Sequence, residues 1–322
     1  MPRKIILDVD TGSDDACAIM LAHLSDEIKL EAVCTVKGNQ SLENTTNNTL
    51  KIRELLKADF PVYKGCDNGF VDSLVYPKLS RTANADAVDE NGNKFHIHET
   101  FNLPEPVTKV EDKHAVEFYV DYLTNTKEPV TIVMVGPLTN LAIALAIKPD
   151  IVKNIEEIVI MGGAWNITNV TLSAEFNIFD DPESALKVFY CGAKITLVPL
   201  DATHTAYITQ DDERKLRELN TPASNFAADL IHTRILVHDQ AQPLEVEHAC
   251  ALHDPLCIAY LLNPNVLEDV RFVHVDVSLF GLTRGQTVVD QRGIQENRNI
   301  HYAFKGNPKL FSDILLKAFA RN

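Results

Sequence analysis

The N-terminal strand–turn–helix unit constrains this chain more than any other stretch. The apolar run Ile5-Ile6-Leu7 reads as a buried strand, and Gly12 with Ser13 forms a turn. Asp14-Asp15-Ala16 then opens a segment with helical spacing at Ala16, Ile19, Met20 and Leu21. Asp8, Asp10, Asp14 and Asp15 fall within this one unit, at the end of the strand. Carboxylates so crowded repel one another unless something positive lies among them. A helix N-terminus stabilises one or two of them, whereas a hard divalent cation, which prefers oxygen ligands, can gather all four. The plainer alternative is helix capping within a solvated acidic turn.

Strand and helix signals alternate beyond this unit. Strands are expected at 30–36, near Val62, and at 130–135, 155–161 and 194–200; helices at 41–56, 115–123, 138–147 and 182–189. The stretch from Asp67 to about Lys113, rich in Asn, Asp and Pro, reads as a long functional loop. Later come one helical stretch from Asp211 to about Val237, a helix after Asp254, further strands around Val273–Val277 and a closing helix at 312–320. The βαβα order predicts an α/β fold, a single domain over 1–322 with a mainly parallel central sheet. In such sheets ligands bind at the C-terminal ends of the strands.

A net charge of −15 argues against nucleic acid or an acidic membrane as partner. Neither a leader peptide nor an apolar run long enough to span a membrane is read from the chain. Six scattered cysteines with no CxxC pair fit buried thiols in a reducing cytosol, so a cytoplasmic location is expected.

Further polar and glycine signals fall where strands should end: Lys37-Gly38-Asn39, Val135-Gly136-Pro137, Met161-Gly162-Gly163 and Asp201. Thr139 and Asn140 are expected to cap a helix. Glu175 and Asn177, two apart, could bind sugar hydroxyls together. His253-Asp254-Pro255 offers a proton donor beside a carboxylate whose plainer role is an N-cap. Three rival motifs fail. An aspartyl-phosphate phosphatase would need a Gly-Asp-x-x-x-Asp segment, an EF-hand would need Glu where Ile19 stands, and dinucleotide binding would need GxGxxG after the first strand.

In these residues the chain resembles the inosine-uridine nucleoside hydrolase family along essentially its whole length. Asp8-Val9-Asp10-Thr11-Gly12-Ser13-Asp14-Asp15-Ala16 is close to the family's Asp-x-Asp-Pro-Gly-x-Asp-Asp-Ala. Gly38-Asn39, Gly136-Pro137-Leu138-Thr139-Asn140, Met161-Gly162-Gly163, Ala174-Glu175-Phe176-Asn177 and His253-Asp254-Pro255 follow in the family's order. The resemblance implies a Rossmann-like sheet and hydrolysis of the N-glycosidic bond of ribonucleosides, with bound Ca²⁺, in nucleoside salvage. By position it implies that Asp10, Asp15, Asp254 and the Val135 carbonyl hold the ion. Asp10 would act as general base toward a metal-activated water, with Asp8 as support from behind. Asp14, Asn39, Asn177 and Asp254 would hold the ribose 2′- and 3′-hydroxyls, and Met161, Asn169 and Glu175 its 5′ side. His253 stands where one branch of the family has a proton donor for the leaving base, which favours the inosine-uridine or pyrimidine type. A homodimer or homotetramer is implied as well.

The chain departs from the family pattern in three places. Thr11 replaces the usual Pro and Val9 replaces Thr or Cys. Over 83–95 the chain has Val88-Asp89-Glu90-Asn91-Gly92 where a His-Gly-x-x-Gly-like segment is usual, leaving His96 or His98 to substitute for the loop histidine. The segment 231–247, with His232, Arg234 and His238, is expected to form the other wall of the base pocket. The alternative reading is a non-catalytic nucleoside or ribose binder that keeps the metal cage.

Overall fold

The computed structural model describes residues 2–71, 86–88, 92 and 94–321. Its first strand, β1 (Arg3–Val9), is followed by helix α1 (Ser13–His23), β2 (Ile28–Thr35), α2 (Leu42–Leu55) and β3 (Val62–Lys64). A short antiparallel pair, β4 (Asp86–Val88) with β5 (Lys94–His96), lies within the expected long loop, most of whose divergent segment 83–95 lies outside the described residues. Helix α3 (Ala115–Asn125) leads to β6 (Val130–Met134), α4 (Thr139–Ile147) and β7 (Ile155–Met161). Then come α5 (Phe176–Asp180), α6 (Pro182–Phe189), β8 (Ile195–Val198) and α7 (Leu200–Thr203).

The C-terminal third adds β9 (Tyr207–Thr209), α8 (Gln210–Glu218), α9 (Pro222–Ala241), β10 (Ala249–Ala251) and α10 (His253–Leu262). Strands β11 (Leu267–Val277), β12 (Thr287–Asp290) and β13 (Ile300–Gly306) precede the closing helix α11 (Pro308–Phe319). The helical stretch expected as one from Asp211 to Val237 is two helices. Asn220 adopts a positive φ of 53°, and Thr221 caps the second helix with Pro222 in its first turn, which ends one helix and starts the next.

A nine-stranded sheet runs in the order β12-β11-β13-β8-β7-β6-β1-β2-β3. All neighbours from β13 to β3 pair in parallel; β11 pairs antiparallel with both β13 and β12. The fold is therefore α/β with a mainly parallel central sheet, as expected. The chain winds outward from β1 to β3 on one side, then returns to place β6, β7 and β8 on the other. That reversal leaves a crevice between β1 and β6, where α/β sheets bind ligands.

Strand β1 is central and dry from Ile5 to Val9. Ile5, Leu7 and Val9 pack on one face of the sheet and Ile6 on the other, as the two-residue period requires. Every residue of α1 from Ser13 to Ala22 is buried. It packs against α2, α9, α10 and α11, so no face is left to water and its apolar residues need no single stripe. Among the described residues no helix is long and apolar enough to cross a membrane.

Candidate active site

The rim of the sheet at the β1–β6 crevice holds the acidic cluster. Val135 N–H donates to Asp8 O at 2.9 Å and Val36 N–H to Val9 O at 2.9 Å, so the backbone on both sides of β1 is fixed where Asp10 emerges. Asp10 and Asp15 are fully buried and Asp14 is 5% exposed, which removes the solvated acidic turn. Capping is nonetheless real: Asp15 accepts from Asp10 N–H at 3.0 Å and from Gly12 N–H at 2.9 Å, tying the turn to the start of α1.

Asp10 differs from its neighbours. Its Oδ2 accepts the Asn39 N–H at 2.6 Å, while Oδ1, equally buried, has no hydrogen-bond partner. Two glycines admit it. A Cβ at Gly38 would fall 2.1 Å from Oδ2 and one at Gly136 2.7 Å from Oδ1, so only hydrogen can face this carboxylate there. Asp14, Asp15 and Asp254 can each bring an oxygen within 4.8 Å of the others. Burial first, then neighbouring carboxylates, pushes Asp10 and Asp254 well above the usual range and Asp15 up to about 7. An all-oxygen donor set, an orphaned buried oxygen and uncompensated negative charge fit a hard divalent cation.

Asp254 reaches the cluster from another direction. The antiparallel pair β9–β10 ends at Ala251, and α10 begins at His253 with no side chain capping it, so Asp254 is not the N-cap that was its plainer role. The Val135 carbonyl accepts the Asn177 Nδ2 at 2.8 Å, and the same amide nitrogen meets the Met161 carbonyl at 3.2 Å. Glu175 caps α5, accepting from the N–H groups of Gly163 at 2.8 Å, Asn177 at 2.9 Å and Ile178 at 3.2 Å. Burial still raises its carboxyl to about 7. Asn169 Oδ1 accepts the Phe176 N–H at 3.0 Å.

A cavity of about 380 Å³ opens over these groups, lined by Asp14, Asn39, Val135, Met161, Asn169, Glu175, Asn177, His253 and Asp254. Asp10 and Asp15 lie beneath it. The opposite wall comes from residues distant in sequence: His98 after β5, and Arg234, Val237 and His238 on α9. His98 thus stands in the pocket where the loop histidine was missing, its buried Nδ1 unpartnered. His238 Nδ1 donates to the Gln242 carbonyl at 2.9 Å, which leaves Nε2 to accept from Ala251 N–H at 3.4 Å. His253 Nδ1 is 2.8 Å from Thr203 Oγ1 on α7, so Nε2 is the nitrogen left for a ligand. The His204 ring centroid is 5.8 Å from that of His238 and 5.7 Å from that of His253.

All four histidines are held neutral. Burial lowers His98 and His238 to about 3 and His204 to about 4, and pushes His253 well below its usual value, with Arg234 adding to each.

Four expectations need correction. Thr139 and Asn140 cap no helix: Thr139 donates to Asp181 Oδ2 at 2.6 Å, and Asn140 Nδ2 donates to Asp8 and to the Thr35 carbonyl at 3.1 Å. Both side chains turn inward, Asn140 to tie β1 to β2 and Thr139 to reach the residue capping α6, because their turn is buried rather than solvated. Asp8 is held by Asn140 and by the Tyr119 hydroxyl at 2.9 Å, which fits its supporting place. Asp201 accepts the N–H groups of Trp165 at 2.7 Å and Asn166 at 3.0 Å, bracing the loop after β7 instead of facing the pocket. His232 is no part of the base wall; it points toward Glu213, 43% exposed. Two positions along a helix turn about 200°, so His232 cannot share a face with Arg234, whereas His238, four positions on, does. That spacing was the legible signal. Nothing local in the sequence marks Thr203, His204 or Val237.

The model of the family described as inosine-uridine preferring nucleoside hydrolase matches residues 5–313. An inosine-uridine preferring nucleoside hydrolase from Leishmania major is 38% identical over 91% of this chain and 89% of its own length. A pyrimidine-specific ribonucleoside hydrolase, RihA, from Photobacterium profundum is 38% identical over 99% of both. Among solved structures, a purine-preferring ribonucleoside hydrolase from Gardnerella vaginalis superposes with a TM-score of 0.82 at 29% identity, covering 99% of this chain and 98% of that one. A family match of that extent, joined to a crevice whose residues are the motifs themselves, shows that the chain belongs to the inosine-uridine preferring nucleoside hydrolase family and is a nucleoside hydrolase.

Proposed function

We propose that this enzyme hydrolyses the N-glycosidic bond of ribonucleosides, releasing free base and ribose with the help of Ca²⁺, in cytosolic nucleoside salvage. The observation that carries the metal-assisted reading is the unpartnered, buried Asp10 Oδ1 amid three further buried carboxylates. Asp10, Asp15, Asp254 and the Val135 carbonyl would hold the ion. When bound, Ca²⁺ supplies the positive charge that draws the sugar diol and makes a nearby water more acidic.

Asp10 would accept the proton of the attacking water as general base. Asp14, Asn39, Asn177 and Asp254 would orient the 2′- and 3′-hydroxyls, with Met161, Asn169 and Glu175 along the 5′ side. The transition state of glycosyl transfer resembles an oxocarbenium ion, so a floor of carboxylate oxygens favours it over the ground state. His253 would assist the leaving base from Nε2, its ring held at Nδ1 by Thr203. The non-catalytic alternative is not favoured, since the relatives bear hydrolase names.

The test is a panel of ribonucleosides and a phosphate monoester, with and without a chelator. Release of base that stops on chelation and returns with Ca²⁺ supports the proposal. Binding without base release, or cleavage of the monoester alone, rejects it.

A further inference from the structure

Arg234 is buried at 3% exposure inside an enzyme whose charged residues at this site are otherwise carboxylates. Its Nε donates to the Ala251 carbonyl at 3.0 Å, and Nη1 lies 2.9 Å from Ser13 Oγ and 3.0 Å from Asp14 Oδ1. One side chain thus joins α9, the strand leading to His253 and the first turn of α1. The ion pair falls on only one of the clustered aspartates. On geometry alone Asp14 is as able to join a cation as Asp15 and Asp254, because the three can bring oxygens within 4.8 Å of one another.

We propose that Arg234 sets the division of labour among these carboxylates, keeping Asp14 out of the metal cage and free for the sugar. A cation drawn onto Asp14 would sit against a guanidinium already touching that carboxylate, and like charges in a dry site repel strongly. Among the described residues Asp10, Asp15 and Asp254 have no such partner, so the ion settles on them. Asp14 keeps Oδ2 for a hydroxyl, held in place by the Arg234 contact at Oδ1. Arg234 is a positioning residue, and the inference rests on the metal-assisted reading above.

Isothermal titration of the full-length protein with Ca²⁺ alone tests it. Asp14→Asn is expected to leave the Ca²⁺ affinity within about threefold of the parent while raising the KM for ribonucleosides, the loss of one charge-assisted hydrogen bond. Arg234→Met is expected to tighten Ca²⁺ binding by about tenfold, since a repelling charge is removed and a fourth carboxylate is released. The double variant should bind Ca²⁺ like the parent. Weakening of Ca²⁺ binding by about tenfold or more in Asp14→Asn, the cost of a lost metal ligand, overturns the inference whether or not Arg234→Met folds. Parent enzyme that binds no Ca²⁺ overturns the metal reading itself, and this inference with it.

Discussion

The floor and the wall of the pocket are built by opposite rules. The floor is local: Asp10, Asp14 and Asp15 leave the end of one strand within a single turn, and Asn39 and Val135 come from the strands on either side. It concentrates negative charge and leaves one oxygen unsatisfied. The wall is assembled from far apart, with His98, Arg234, His238 and His253 delivered by a loop and two helices. It concentrates imidazoles and holds them uncharged. A floor set by sheet topology can be the same for every ribose, whereas a wall assembled from a loop and two helices can vary with the base. That contrast accounts for relatives named for inosine-uridine, pyrimidine and purine preferences on one scaffold.

The sharpest way to break the comparison is Asp10→Asn. Removing the base should lower kcat by about 10²–10⁴-fold for every nucleoside regardless of its base. The metal-free protein should become more heat-stable, because an amide relieves like-charge crowding while its oxygen still accepts the Asn39 N–H. Calorimetry with chelator beside steady-state kinetics checks both. A loss confined to one class of nucleoside would mean that floor and wall are not separable.

His253→Ala probes the wall and should cost less. Nucleoside turnover is expected to fall by about 10²-fold, the low end for proton-transfer assistance, because the ring is neutral in the free enzyme. A p-nitrophenyl riboside, whose leaving group needs no proton, should turn over at near-parental rates. Equal losses on the two substrates would remove His253 from leaving-group assistance and assign it to the floor.

The same contrast explains what could be read from the residues. The floor was legible because its residues fall in short motifs: Asp8 to Asp15, Gly38-Asn39 and Asp254-Pro255 each announce themselves within a few positions. The parallel sheet followed from the alternation of strands and helices, whereas the strand order and the reversal beside β1 came only with the structure. The wall was only partly legible. Arg234 was placed in it, but its contact with Asp14 spans the chain from α9 to α1 and no periodicity encodes that. Thr203 sits in a four-residue helix where a strand was expected to run on to Leu200, because the chain after Val198 turns at Pro199. Thr139 and Asn140 read as caps since capping is what such residues do in solvated turns, and burial of the turn decided otherwise.

The smallest effect is on stability against pH, where floor and wall should pull in opposite directions. Asp8, Asp15 and Glu175 have folded values raised to about 7 from an ordinary carboxylate range near 4. In that interval the folded protein binds more protons than the unfolded chain, so the floor's contribution is complete below about 4 and is lost as pH rises through about 7. His98 and His238, lowered to about 3, and His204, lowered to about 4, behave inversely. There the unfolded chain binds the extra proton, and stability is lost as pH falls from about 6.5. Each group contributes up to about 1.4 kcal/mol per pH unit inside its own window. Chelated protein should therefore show a melting temperature that varies little between about pH 4 and 6.5, where the slopes oppose, and falls above about 6.5, with Asp10 and Asp254 adding to the fall. Added Ca²⁺ requires Asp15 ionised, so it should remove Asp15's share of the decline above about 6.5 and leave the shares of Asp8 and Glu175 in place. A decline of undiminished slope in saturating Ca²⁺ would mean that the ion does not draw on Asp15, and the separation of a charged floor from a neutral wall would fail at its base.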